Sequence, residues 1–185
     1  LRDSHIRCGL RMGADVICEK PLVLNPGNVD ALIELEEEYN NKVHTILQLR
    51  HHEAILELKE KIENGPADKI YDIDLTYTTS RGNWYYTSWK GNEEKSGGIA
   101  SNIGVHFFDM LQWIFGPMEN SSADIKTKDT NSGKLTFKQA NVNWYLSINA
   151  ENLPQKAKDN GLSTFRTLSI EGEEIEFSKG FTDLH

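Results

Sequence analysis

The apolar residues of this chain change their spacing near residue 69, and that change limits the fold more than any other feature. Before it, apolar positions recur at helical intervals between short β-like runs. After it, apolar and polar residues alternate, as in strands with one buried face. The spacing predicts that 1–13 is the end of a loop followed by a short helix ended by Gly13, and that 26–41 is a helix where Asn25 can cap and Pro26 fits the first position. Val29, Leu32, Ile33 and Leu35 would form the apolar side of the second helix. A third helix is predicted over 52–64 with Ile55, Leu56, Leu58 and Ile62 inward, ended by Gly65-Pro66. Strands over 14–18 and 43–49 alternate with these helices, which is the order of a parallel α/β sheet.

From 70–79 onward the pattern predicts strands, with others near 122–128, 134–138, 141–150, 164–171 and 174–178 and a tight hairpin at Gly172. Strands in series without intervening helices imply antiparallel pairing. The expected fold class is therefore α/β plus α+β. Residues 1–50 form closing α/β units, and 51–185 form an open, mainly antiparallel sheet with helices on one face.

Between the strands lie an aromatic loop, 81–95, and the most chemically suggestive stretch, KSGGIASNIGVHFFDMLQWIFG at 95–116. At helical spacing Ile103, Phe107, Met110, Leu111 and Ile114 make one apolar stripe. Asn102, His106 and Asp109 share a second, polar face. The glycine pair Gly97-Gly98 lets backbone come close to whatever lies before this helix. Such a helix can bury one side while showing a histidine and a carboxylate to a cleft. A buried histidine held by an aspartate for structural reasons has the same spacing.

A net charge of −8 and a pI near 5.3 argue against nucleic acid or a membrane surface as the main partner. Two cysteines, Cys8 and Cys18, do not make a disulfide framework and suit a reduced, cytoplasmic setting. No His, Cys and carboxylate set has metal-ligand spacing, so no metal is expected.

Three features occur in order: Glu19-Lys20-Pro21 closing a strand, a strand ending near Arg50, and a glycine pair leading into Asn102-x-Gly104-x-His106-x-x-Asp109. Together they resemble the Gfo/Idh/MocA oxidoreductases across essentially the whole chain. The runs WYYTSWKG and KSGGIASNIGVHFFDMLQWIFG are most similar to its UDP-N-acetylglucosaminuronic acid 3-dehydrogenase branch, the WlbA and WbpB type. Many relatives have Asp where this chain has Asn102, and that branch tolerates Asn. The resemblance implies a chain truncated at both ends, with 1–50 the C-terminal remnant of a dinucleotide-binding Rossmann domain and 51–185 a substrate-binding and oligomerisation domain. It implies NAD or NADP as cofactor, touched by Glu19, Lys20 and Pro21. The glycine-rich G-x-G-x-x-G turn that holds the pyrophosphate in this family is not in the sequence. These residues alone are expected to bind the dinucleotide poorly and to be inactive.

The implied reaction is NAD-dependent oxidation at C3 of a nucleotide sugar for surface-polysaccharide biosynthesis. Removing a hydride from carbon requires that a protein group take or relay the hydroxyl proton. Histidine, whose ordinary pKa lies near neutrality, suits that task at His106. Lys20 can stabilise the developing oxyanion, and Asp109 can orient the imidazole. The resemblance assigns Lys20 and His106 as the catalytic pair. Arg50, Trp84, Tyr85, Trp89, Lys90 and Asn102 are the candidate substrate contacts: Arg50 for a carboxylate or diphosphate, and the aromatic loop, with Tyr86, for a uracil ring. Relatives commonly form homodimers or homotetramers through the sheet face, where the NVNWYLSINA strand offers aromatic surface. Two alternatives stay open: an inositol or simple-sugar dehydrogenase of the same family, and a non-catalytic sugar-binding or assembly module.

Overall fold

Leu47 and Gln48 mark the division of the chain into two units in the computed structural model, which describes residues 2–177. The outer end of the last expected strand, at 178, lies outside the described residues.

The first unit is built on two parallel strands, β1 (Val16–Glu19) and β2 (Val43–Ile46), in register from Val16 beside Val43 to Glu19 beside Ile46. Helices α1 (Arg2–Arg11) and α2 (Gly27–Tyr39) bury Ile6 and Leu10, and Leu32 and Leu35, against Cys18 of β1. Asn25 meets the start of α2 through its Oδ1, which accepts from the Gly27 N–H at 3.0 Å. Ile33, expected inward, is instead 47% exposed. A helix this short presents a narrow stripe to so small a sheet, and Leu32 and Leu35 fill it. β2 stops at Ile46 rather than 49, because the chain turns there into a 3-10 segment, Gln48–His51.

In the second unit α3 (Glu53–Glu63) buries Ile55, Leu58 and Ile62. Leu56, expected beside them, faces away and is 47% exposed. The sheet has six strands: β3 (Tyr71–Thr79), β4 (Met118–Lys126), β5 (Thr130–Phe137), β6 (Ala140–Ser147), β7 (Thr164–Ile170) and β8 (Glu173–Glu176), in spatial order β4-β5-β6-β3-β7-β8. Four of its pairings are antiparallel, but β3 and β6 run parallel, with Ile73 beside Val142 and Leu75 beside Trp144. Serial strand order alone predicted no parallel pair. It arises because the chain leaves β3 for a helical excursion and returns as the β4-β5-β6 meander. The last strand of that meander then enters alongside β3 in the same direction. The β7–β8 hairpin turns at Glu171 and Gly172, both at positive φ (53° and 88°), the backbone of a type I′ turn.

One face of the sheet carries Tyr71, Ile73, Leu75 and Tyr77 of β3 and Val142, Trp144 and Leu146 of β6, all packed against α3 and α6 (Val105–Phe115). Trp144 therefore lies in the core, with its ring edge-on to Phe108 at 5.3 Å. It is not the aromatic surface expected of this strand. The other face shows Asp74, Asn143 and Lys134, with Asn143 Nδ2 donating to Asp74 Oδ1 at 2.9 Å. At one end of that face Leu153, Ala157 of α7 (Gln155–Asp159) and Phe165 form a small separate cluster. Among the described residues no helix is long and apolar enough to cross a membrane.

Candidate functional site

The chemistry-bearing side chains of the second unit gather around the start of α6. The sequence spacing predicted one continuous helix, but its first turn, Ala100–Gly104, is a π-turn that passes into α6 at Val105. Widened turns of this kind often mark functional sites, since they re-aim the side chains that follow. The expected stripe of Ile103, Phe107, Met110, Leu111 and Ile114 is buried throughout. Gly97 and Gly98, both at φ 75°, bring the chain into the turn through backbone that side chains rarely adopt. Gly104 lets the turn rest on the sheet: a Cβ there would stand 2.7 Å from the Phe108 ring and 3.0 Å from Leu146 Cδ1. Gly104→Val is expected to cost about 1–3 kcal/mol by overpacking, read from a urea unfolding midpoint; an unchanged midpoint would mean the turn has room to give.

His106 is half-buried on this helix. Asp109, expected to orient it, directs both carboxylate oxygens at Arg50. Arg50 Nε donates to Oδ2 at 2.8 Å, and Nη2 donates to Oδ1. This bidentate fork raises the Arg50 pKa above its ordinary value, chiefly through the hydrogen bond. Arg50 thus sits on a 3-10 turn and braces α6. With its side chain 41% exposed it keeps further donors for a ligand.

The aromatic loop is not irregular. It forms α4 (Asn83–Thr87), a 3-10 turn (Trp89–Gly91) and α5 (Glu93–Ser96). Tyr85 points inward, 3% exposed, edge-on to the rings of Trp84 and Tyr86. Burial raises its pKa, opposed by a hydrogen bond to the buried Asn102. Two expected substrate contacts thus meet each other, and Tyr85 is a support rather than a stacking surface. Trp84 and Trp89 stay about half exposed, and the Lys90 Nζ stands 5.9 Å from each of their ring centroids. The cavity between this segment and the β4–β5 turn is about 40 Å³. Drug-sized ligands need several hundred Å³, so this cavity does not enclose one.

In the first unit Glu19, Lys20 and Pro21 stand at the carboxyl end of β1, where ligands of parallel sheets bind. The Lys20–Pro21 bond is cis, and Arg2 Nη1 donates to the Pro21 carbonyl. Residue spacing gave no sign of two arginines near the carboxyl end of β3, Arg81 and Arg166. The signal was present only in the strand register, which sets Arg166 beside Tyr77.

WlbA (WbpB) dehydrogenase from Thermus thermophilus, solved with NAD and α-ketoglutarate, is 45% identical over the whole of this chain, with a TM-score of 0.94. The same enzyme solved with NAD and UDP-GlcNAcA is 44% identical, also with a TM-score of 0.94. Myo-inositol 2-dehydrogenase of Thermotoga maritima is 32% identical over 101 residues, 55% of this chain. The chain spans 59% of the Thermus structures and 29% of the inositol enzyme. Residues 59–159, more than half the chain, match the C-terminal alpha/beta domain of the Gfo/Idh/MocA oxidoreductase family, and the chain belongs to that family.

Proposed function

We propose that this protein is an NAD-dependent dehydrogenase that oxidises the C3 hydroxyl of a nucleotide-linked uronic acid such as UDP-N-acetylglucosaminuronic acid. The observation that supports this most is the 44–45% identity, along the whole chain, to an enzyme solved with NAD and that nucleotide sugar. Exposed tryptophans beside a lysine suit a base and a phosphate, and a half-buried histidine on a braced helix suits proton transfer.

In this reading Glu19, Lys20 and Pro21, at the carboxyl end of β1, contact the cofactor. The 185 residues contain no G-x-G-x-x-G turn for its pyrophosphate. When bound, NAD accepts the hydride that leaves the sugar carbon. His106 takes the proton from the hydroxyl oxygen. Lys20 donates a hydrogen bond to that oxygen and offsets the charge developing on it. Arg50 and Asp109 hold the helix that presents His106. Trp84 and Trp89 provide the face for the base.

Trp89→Ala is expected to weaken UDP-sugar binding roughly tenfold, within the range for loss of one aromatic stacking partner. An unchanged dissociation constant by calorimetry would return the segment to a purely structural role. The reading as a whole is tested by titrating the full-length protein with NAD, UDP-N-acetylglucosaminuronic acid and myo-inositol. Binding of the UDP sugar supports it. Binding of inositol in its place would favour the second reading, an inositol or simple-sugar dehydrogenase, to which the Thermotoga relative lends weight.

A further inference from the structure

Two arginines stand at one end of β3 without a role in the reaction described above. Arg81 follows β3 by two residues, tied down by its backbone N–H to the Ile148 carbonyl at 3.3 Å. Its guanidinium carbon lies 5.9 Å from the Trp84 ring and 6.0 Å from the Tyr85 ring. Its Nε is buried and has no hydrogen-bond partner among the described residues. Arg166, on β7, is paired in register with Tyr77 and lies 5.4 Å over that ring.

Both arginines are linked through one tyrosine to the turn that carries His106. Tyr85 bonds to Asn102, four residues before His106, and Tyr77 packs at 5.1 Å on Phe107, the residue after it. Arg50 meets a carboxylate of its own chain, but Arg81 pairs with no carboxylate among the described residues. Burial pushes the Arg166 pKa down, the charge of Tyr77 and a hydrogen bond to it push the other way, and the Arg81 charge adds a smaller downward push. A buried cationic donor without an acceptor is unfavourable, and like charges close together add to that cost. An entering anion relieves both. The planar fork of arginine matches a carboxylate with two parallel hydrogen bonds.

We propose that Arg81 and Arg166 form a carboxylate subsite beside His106 that receives the uronic acid group of the substrate. The inference rests on the nucleotide-sugar reading for the identity of the ligand, but the subsite itself is defined by the two arginines. It would make this pair the determinant of acid over neutral sugar. Tyr85 and Tyr77 then act as spacers that set the distance between the carboxylate and the oxidised carbon.

The test compares UDP-N-acetylglucosaminuronic acid with UDP-N-acetylglucosamine, which has a neutral hydroxymethyl group in place of the carboxylate. Both are titrated into the full-length protein and into Arg81→Gln and Arg166→Lys, the latter keeping the charge while losing the fork. Thermal melts of each variant check the fold. The wild type should prefer the acid roughly 10- to 100-fold, as expected for charge-assisted hydrogen bonds. Each variant should lose most of that preference by weakening the acid alone. Equal affinities in the wild type, or equal weakening of both sugars, would overturn the subsite. D-Glucuronate separates this proposal from the one beneath it. If neither UDP sugar binds while glucuronate binds the wild type and not Arg81→Gln, the nucleotide-sugar reading falls and the subsite stands. If glucuronate fails as well, both fall.

Discussion

Replacing His106 with alanine is expected to lower turnover by about 10²- to 10⁴-fold, the usual contribution of a positioned general base. The fold should persist, because the residues that bury this helix are its neighbours. Phe107, Met110, Leu111 and Ile114 fill the core, and the Asp109–Arg50 fork closes one turn further on. His106 is half-buried, so removing the ring leaves a dent open to solvent rather than a sealed cavity. The measurements are kcat and kcat/KM on the full-length enzyme, with circular dichroism and a melting curve as controls. Activity within a few-fold of wild type, in a folded variant, would take His106 out of the mechanism.

Lys20→Met should be nearly as damaging, by about 10²-fold or more, since in the proposed reaction it removes the cationic donor that offsets developing negative charge while keeping the length of the side chain. An interaction that strengthens only in the transition state lowers kcat and kcat/KM together. The expected signature is therefore a large fall in kcat with KM nearly unchanged. A variant in which KM rises and kcat holds would place Lys20 in ground-state binding of sugar or cofactor. Lys20→Arg is a useful companion. It keeps the charge in a bulkier, planar form, and recovery of little or no activity would show that a compact ammonium is required.

Much of the architecture was legible because it follows from periodicity. The alternation over β3 maps onto its buried and exposed faces as far as Tyr77, beyond which Thr78 and Thr79 are buried too, and the predicted apolar stripe from Ile103 to Ile114 is buried at every position. The failures have two sources. Helical spacing cannot tell how wide a stripe the neighbouring surface will cover, so Ile33 and Leu56 were placed inward when only their partners are. Pairwise partners that lie far apart in sequence leave no periodic trace. Asp109 with Arg50, Asn102 with Tyr85 and Tyr77 with Arg166 are each closed by tertiary structure. Trp144 shows the same limit from the other side: a strand's aromatic content says nothing of which face it will use until the pleat is fixed.

The parallel pairing of β3 with β6 has a consequence for how the second unit is assembled. Everything between those strands, including the aromatic segment, the π-turn and α6, is synthesised before β6 exists to meet β3. During that interval the buried stripe of α6 has no complete sheet to cover it. β3 then gains β6 on one side and β7 on the other, both distant in sequence, so its hydrogen-bond ladder closes late. Once closed, that strand lies at the centre of the sheet, with partners on both edges. The segment bearing His106 is thus a long excursion whose entrance is anchored in the most protected strand of the unit. Local opening that releases His106 would have to disturb the helix-to-sheet core as well, so the position of the histidine is secured by the cooperativity of the whole unit.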